Sequence, residues 1–177
     1  MRTSISLTLL CLLLSPVWSH AETTANMEFG VRGGTDVSEH NLEENYQAAE
    51  VYFLKQLPWG ITLGEKSTLT SRFDTGITYL EGGGDKSGML AVGADLVLGL
   101  LDGRMECEIG FRPTWMFDQE YGRDDFGGGL QFTSHVGVAI IWQKVALNYR
   151  LQHTSNAGIY SHNPGLNMHL FGVGYHF

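Results

Sequence analysis

The sequence predicts an all-β fold: an eight-stranded antiparallel transmembrane β-barrel of the outer-membrane type. Three observations predict it: a secretory leader at the N-terminus, short segments of alternating apolar and polar residues along the rest of the chain, and charges that, Lys55 apart, fall on the polar parity of those segments. Composition agrees. Of 177 residues, 23 are Gly and only 17% are charged, with a formal net charge of −8. Soluble domains carry roughly 7% Gly and about 25% charged residues, so this chain is rich in turn formers and poor in surface charge.

The leader comes first. Arg2, the nearly unbroken apolar run over residues 5–18 and the small–x–small end Ser19-His20-Ala21 read as a secretory signal peptide over residues 1–21. Cleavage there leaves one domain, residues 22–177. Cys11 falls within the leader, and Leu10 stands before it where a lipoprotein signal needs a small residue, so the mature chain keeps only Cys107 and has no internal disulfide. Loss of Arg2 makes the mature chain more acidic still. With no Lys/Arg cluster, nucleic acid is excluded as a partner. The best apolar run after the leader, residues 91–101, is interrupted by Asp95, so no transmembrane helix is available. A barrel crosses a bilayer on alternating strands and needs no such run.

The strands follow from period-two alternation, because successive side chains of a strand point to opposite faces. Residues 27–32 and 49–57 open the set, the second with Lys55 on its apolar parity. In 68–79, Leu69, Phe73, Ile77 and Tyr79 oppose Thr68, Thr70, Arg72, Asp74 and Thr78; in 90–100, Leu90, Val92, Leu96, Leu98 and Leu100 oppose Gly93, Asp95 and Gly99. The cleanest alternation is 105–115, with Met105, Cys107, Ile109, Phe111, Pro113 and Trp115 on one face and Glu106, Glu108, Gly110, Arg112 and Thr114 on the other. Next, Leu130, Phe132, Val136, Val138 and Ile140 oppose Gln131, Thr133, His135 and Gly137, and Val145, Leu147, Tyr149 and Leu151 oppose Asn148, Arg150 and Gln152. The last strand sets Phe171, Val173, Tyr175 and Phe177 against Gly172, Gly174 and His176. Eight strands over residues 22–177 leave roughly 20 residues for each strand and its connection, as in the smallest membrane barrels.

Charge decides which face is inside. Glu28, Arg32, Arg72, Asp74, Asp95, Glu106, Glu108, Arg112 and Arg150 all fall on the polar parity. That is too many for the solvent face of a soluble barrel in so lightly charged a chain, whereas within a narrow lumen they can pair. Connections 101–104 and 142–144 are short, while 35–45, 118–127 and 157–164 are longer; the links 57–67 and 81–86 blur the pattern. Short turns lie in the periplasm and long loops outside, so both termini are periplasmic. The ending on Phe177, with Tyr175 and Val173 at alternate positions, resembles the tail read by the outer-membrane barrel assembly machinery. The expected location is the bacterial outer membrane.

No signature of a soluble enzyme is present, and residues 81–85 are a glycine-rich turn between strands, not a phosphate cradle. His40, His135, His162, His169 and His176 lack ligand spacing, and Asp118, Glu120, Asp124 and Asp125 read as a solvated loop. No metal and no organic cofactor is expected. One segment stands apart. Past Leu151 the apolar parity of the seventh strand continues as His153 and Ser155, and that of the eighth runs back through His169 to Asn167. Antiparallel pairing about the intervening loop sets Asn167 opposite His153, on the outside of the barrel at its extracellular rim. On composition alone these read as headgroup-level polar residues capping the apolar band; a Ser one pleat from a His also has the spacing of a nucleophile and its base.

The wording of this segment, His153-Thr154-Ser155-Asn156-Ala157-Gly158-Ile159 followed by Asn163-Pro164-Gly165-Leu166, resembles the PagL-type lipid A 3-O-deacylases, whose signature is H-x-S-N-x-G with N-x-G shortly after. Residues 67–83 also look like that family's corresponding strand and E-G-G turn. The resemblance implies an outer-membrane serine esterase that removes the 3-O-linked acyl chain of lipid A, with lipid A or lipopolysaccharide as substrate. It implies His153 as base, Ser155 as nucleophile, and Asn156 and Asn163 as oxyanion or substrate-orienting residues. Where the family's third catalytic member is a Glu, this chain carries Asn167, which can orient an imidazole but cannot balance its charge. The alternative is a non-catalytic barrel that binds lipopolysaccharide or another surface partner.

Overall fold

The computed structural model describes residues 27–37 and 42–177; the segment 1–21 expected to be a leader and His40 lie outside the described residues. The strands are β1 (Met27–Asp36), β2 (Tyr46–Thr62), β3 (Thr68–Gly82), β4 (Asp85–Leu100), β5 (Met105–Met116), β6 (Glu120–Tyr121), β7 (Asp124–Asp125), β8 (Leu130–Trp142), β9 (Val145–Ser155) and β10 (Leu166–His176). Eight of them close into a barrel in the order β1-β10-β9-β8-β5-β4-β3-β2, and β6 pairs only with β7. Closure leaves no sheet edge exposed, which is what a strand structure in hydrocarbon requires.

Two connections are tighter than the alternation suggests. Most of the 57–67 link is strand, because β2 continues past an irregularity between Gln56 and Gly60 and regains its ladder with β3. Pro58 sits in that irregularity and has no N–H to give. The 81–86 link shrinks to Gly83-Gly84, both at positive φ (60° and 92°), the two-residue turn whose twist suits a hairpin.

Phe29, Val31, Ile77, Ile109, Phe111, Ile140, Leu147 and Phe171 are exposed on the outer wall. The lumen is the reverse. Arg112 donates to Glu50 Oε1 at 2.8 Å and Asp74 Oδ1 at 3.2 Å; Arg150 reaches Asp74 at 2.9 Å and Glu108 at 2.7 Å. Arg72 holds Asp95 and Glu106 at 3.2 and 3.1 Å and also contacts Glu108, while Arg32 pairs with Glu50 at 3.0 Å. Glycine makes the room: a Cβ on Gly76 would strike Glu50, and one on Gly110 would strike Asp95 and His135.

At the end away from the termini the lumen is apolar. Tyr46, Leu80, Met89, Met116, Leu166, Met168 and Leu170 form one buried cluster with Tyr121 and Phe126. The last two come from the 118–127 segment, so that segment is not a solvated loop. Its β6–β7 hairpin folds down onto the barrel mouth, where the rings of Tyr46, Tyr121 and Phe126 meet edge to face at 5.7 to 6.1 Å. Asp124 is buried there, accepting from the backbone N–H groups of Glu43 and Glu44 and from Tyr46 Oη.

A lumen network of this kind is most sensitive to loss of one partner, which strands the opposite charges. Arg112→Ala is expected to destabilise the barrel by about 3–5 kcal/mol. Lys86→Ala, which removes an exposed contact to Glu81 at 3.7 Å, should change stability by less than about 1 kcal/mol. Urea titration in detergent micelles, read by heat-modifiable gel mobility, measures both.

Candidate active site

β9 carries an apolar exterior up to Leu151 and then presents His153 and Ser155 on the same face. The register sets His153 between Asn167 of β10 and Ser134 of β8. His153 Nδ1 lies 2.8 Å from Asn167 Oδ1. An amide oxygen only accepts, so this bond places the imidazole proton on Nδ1 and leaves the Nε2 lone pair open. The ring is exposed. Ser155, half-buried, is the next exterior position, roughly 6.7 Å along the strand; its hydroxyl makes no hydrogen bond to another described residue.

The loop between β9 and β10 is fixed by its asparagines. Asn156 is fully buried, and its side-chain amide donates to the carbonyls of Phe126 at 3.0 Å and His162 at 2.6 Å while its Oδ1 accepts from Gly158 N–H at 2.9 Å. With both amide hydrogens engaged, Asn156 positions the loop. Asn163 is exposed, and its Oδ1 accepts from the Asn156 backbone N–H at 3.0 Å. That bond orients the amide and leaves Nδ2 as the donor available above the rim. Gly165, at φ +72°, lies flat against the imidazole: a Cβ there would come within 3.0 Å of His153 Cε1.

Below the rim runs a groove of about 900 Å³ on the outer wall, bordered by His153, Asn167, His169, Ser134, Phe111 and Ala94 among others. Pairing places His153, Ser134, Phe111 and Ala94 in one row across four strands. Ser134 and Ala94 are short, so the wall dips on either side of Phe111. The sequence reading passed over Ser134, which had a usable signal, a polar residue on the apolar parity of its strand; Gly165 stood in the N-x-G of the signature, but its contact with His153 crosses strands and could not be read there.

Among the described residues, Asp74, Asp95 and His135 are the one group with ligand atoms close enough to share a metal ion. They lie in the lumen, and arginines already hold both carboxylates, so nothing at the rim site depends on them.

The comparisons with known proteins bear on this geometry. The family model described as "Lipid A 3-O-deacylase (PagL)" matches residues 47–176. The chain belongs to the PagL family. The solved structure titled "Crystal structure of the outer membrane enzyme PagL" is similar in fold, with a TM-score of 0.73 at 18% identity over 84% of this chain and 98% of that one. The Yersinia pestis outer membrane protein Ail in a phospholipid nanodisc is more distant, with a TM-score of 0.48 at 9% identity over 86% of this chain and 99% of that one. No curated protein matches the sequence. As a PagL-family barrel the chain is a protein of the bacterial outer membrane, and deacylation of lipid A is the function that its family and fold support.

The Asn156 bonds predict a local effect. Asn156→Ala should free the 156–165 loop, speeding its cleavage in limited proteolysis by roughly tenfold, the effect of losing about 1.4 kcal/mol of local hydrogen bonding, with the urea midpoint of the barrel held. Mass spectrometry of the first cut sites checks it.

Proposed function

We propose that the chain is a serine esterase that hydrolyses the 3-O-linked acyl ester of lipid A in the outer leaflet. The observation that carries this reading is the His153–Asn167 hydrogen bond on the outer wall, which leaves the Nε2 lone pair of an exposed imidazole open. Ser155 Oγ attacks the ester carbonyl as His153 Nε2 takes its proton. The tetrahedral intermediate collapses with return of that proton to the 3-hydroxyl of the leaving sugar, giving an acyl-enzyme. Water, activated by the same imidazole, then releases the fatty acid. Asn163 Nδ2 is the donor proposed for the oxyanion, and Asn156 holds the loop that presents it.

A site on the outer wall suits a substrate that is itself a lipid. The acyl chain stays in the bilayer, in the groove bordered by Ser134, Phe111 and Ala94, while the ester meets Ser155 at headgroup level. The leader over residues 1–21 and the terminal Phe177, paired backbone to backbone with Met27, are read as the export signal and the tail for the barrel assembly machinery.

Lipid A from cells expressing the wild type should be lighter by one acyl chain in mass spectra. Ser155→Ala and His153→Ala should each restore the full mass while the barrel still assembles, since neither side chain enters the lumen network. Unchanged lipid A from well-folded wild type, across several lipid A types, would instead support a barrel that only binds lipopolysaccharide.

Asn167 fixes the ring without supplying charge. Asn167→Asp keeps the side-chain shape and adds a negative partner for the imidazolium, so kcat/KM should rise by roughly ten- to a hundredfold. Asn167→Ala should lower it. The gain stays below the roughly 10⁴-fold effect of a buried triad carboxylate, because a hydrated rim screens the charge. Kinetics on a chromogenic acyl ester measure both changes.

A further inference from the structure

The lumen holds a group that the spacing of histidines along the chain could not show, because its members come from different strands. His135 of β8 is buried, with 4% of its surface exposed, and neither ring nitrogen makes a hydrogen bond within the described residues. Its Nε2 lies 3.2 Å from Asp95 Oδ1 of β4, 3.8 Å from Asp74 Oδ2 of β3 and 3.9 Å from Glu108 Oε1 of β5. Asp95 Oδ1 also lacks a hydrogen bond. A buried nitrogen and a buried carboxylate oxygen left face to face without a bond are costly. The space between them calls for a third species that bonds both.

The donors suit a borderline cation. The ligand atoms of Asp74, Asp95 and His135, one imidazole nitrogen and two carboxylate oxygens, lie within 4.8 Å of one another. In a tetrahedral zinc site, bonds of roughly 2.0–2.2 Å set neighbouring ligand atoms about 3.3–3.5 Å apart, so the separations around His135 Nε2 need only small side-chain shifts. Gly110 keeps the space open, since a Cβ there would strike both Asp95 Oδ1 and His135 Nε2. The arginines leave these lone pairs free. Arg72 holds Asp95 through the other oxygen, Oδ2, and Arg150 takes one of the two lone pairs of Asp74 Oδ2 at 2.9 Å. Carboxylates that ligate metals are oriented by outer donors of this kind. Across the network the carboxylates of Glu50, Asp74, Asp95, Glu106 and Glu108 outnumber the four arginines, which favours a cation. The apolar mouth closes one end of the lumen, so the way in runs from the periplasmic end past Glu106, whose side chain is 21% exposed.

We propose that Asp74, Asp95 and His135 form a zinc site inside the barrel, with Glu108 Oε1 beside it as the fourth donor. Zn²⁺ there ties β3, β4, β5 and β8 together across the lumen. The role is structural and does not rest on the esterase reading.

The test is zinc uptake by the intact, chelator-washed barrel in detergent micelles, measured by competition with a chromophoric chelator, with folding checked by heat-modifiable mobility. Wild type should take up one Zn²⁺ per barrel with a Kd of about 1 μM or below. At free zinc roughly a hundredfold above that Kd, its folded-to-unfolded ratio in urea should rise about a hundredfold. Asp95→Asn and His135→Gln should each weaken uptake by more than the roughly ten- to hundredfold that loss of an outer partner costs. His162→Ala, which removes an exposed histidine of the β9–β10 loop, should leave uptake unchanged. Zinc X-ray absorption on wild type needs no variant and should show four N/O neighbours at about 2.0–2.2 Å, one of them an imidazole. No uptake by folded wild type, uptake unmoved in both lumen variants, or an all-oxygen shell without imidazole overturns the site and leaves His135 hydrated in the lumen.

Discussion

The constraint on which the rest of this structure depends is that a strand in a bilayer has two faces with incompatible solvents and no free edge. Every backbone N–H and C=O must be paired in the wall, so the strands close, and closure assigns each side chain to lumen or lipid by parity alone. Arg112, Arg150, Arg72 and Arg32 can be buried because the same closure brings Glu50, Asp74, Asp95 and Glu108 to meet them. A polar residue on the other parity gains nothing from that network. His153, Asn167, Ser155 and Ser134 are therefore conspicuous on the lipid side, and their role has to be sought in what approaches from the membrane.

The rim site in turn depends on the packed barrel mouth. Tyr46, Tyr121 and Phe126 seal the loop end of the lumen with apolar surface, and the Phe126 carbonyl is fixed by that packing. It accepts from Asn156, whose backbone N–H holds Asn163 in place. Gly165 then lets the β9–β10 loop lie against the imidazole. The geometry of the candidate site on the outer wall is thus referenced, through a short series of hydrogen bonds, to a hydrophobic core on the inner side.

The barrel was legible because alternation is a local property: each strand carried its own two faces, and the charges named the inner one. The opposition of Asn167 and His153 was legible for the same reason, since hairpin register follows from a strand pair and its loop. What could not be read depended on contacts between distant segments. The 118–127 run looked solvated from its acids, yet Asp124 is buried against the backbone of Glu43 and Glu44, and Tyr121 and Phe126 supply the apolar side of the hairpin. Likewise the polar lumen was foreseen but not its apolar upper part, because Leu80, Met89 and Met168 share their parity with charges farther down their strands or with glycines. The side-chain bonds of Asn156 are beyond any pattern, since its partner Phe126 lies 30 residues away.

The central claim is that Ser155, on the outer wall, is a nucleophile activated by His153. A lipophilic fluorophosphonate, which forms a covalent bond only with an activated serine, tests it directly. Incubated with the intact barrel in micelles and followed by peptide mass spectrometry, it should modify Ser155 alone, and the modification should vanish when His153 is replaced by Ala. Labelling of Ser134 in place of Ser155, or no labelling of a folded wild type, would contradict the account.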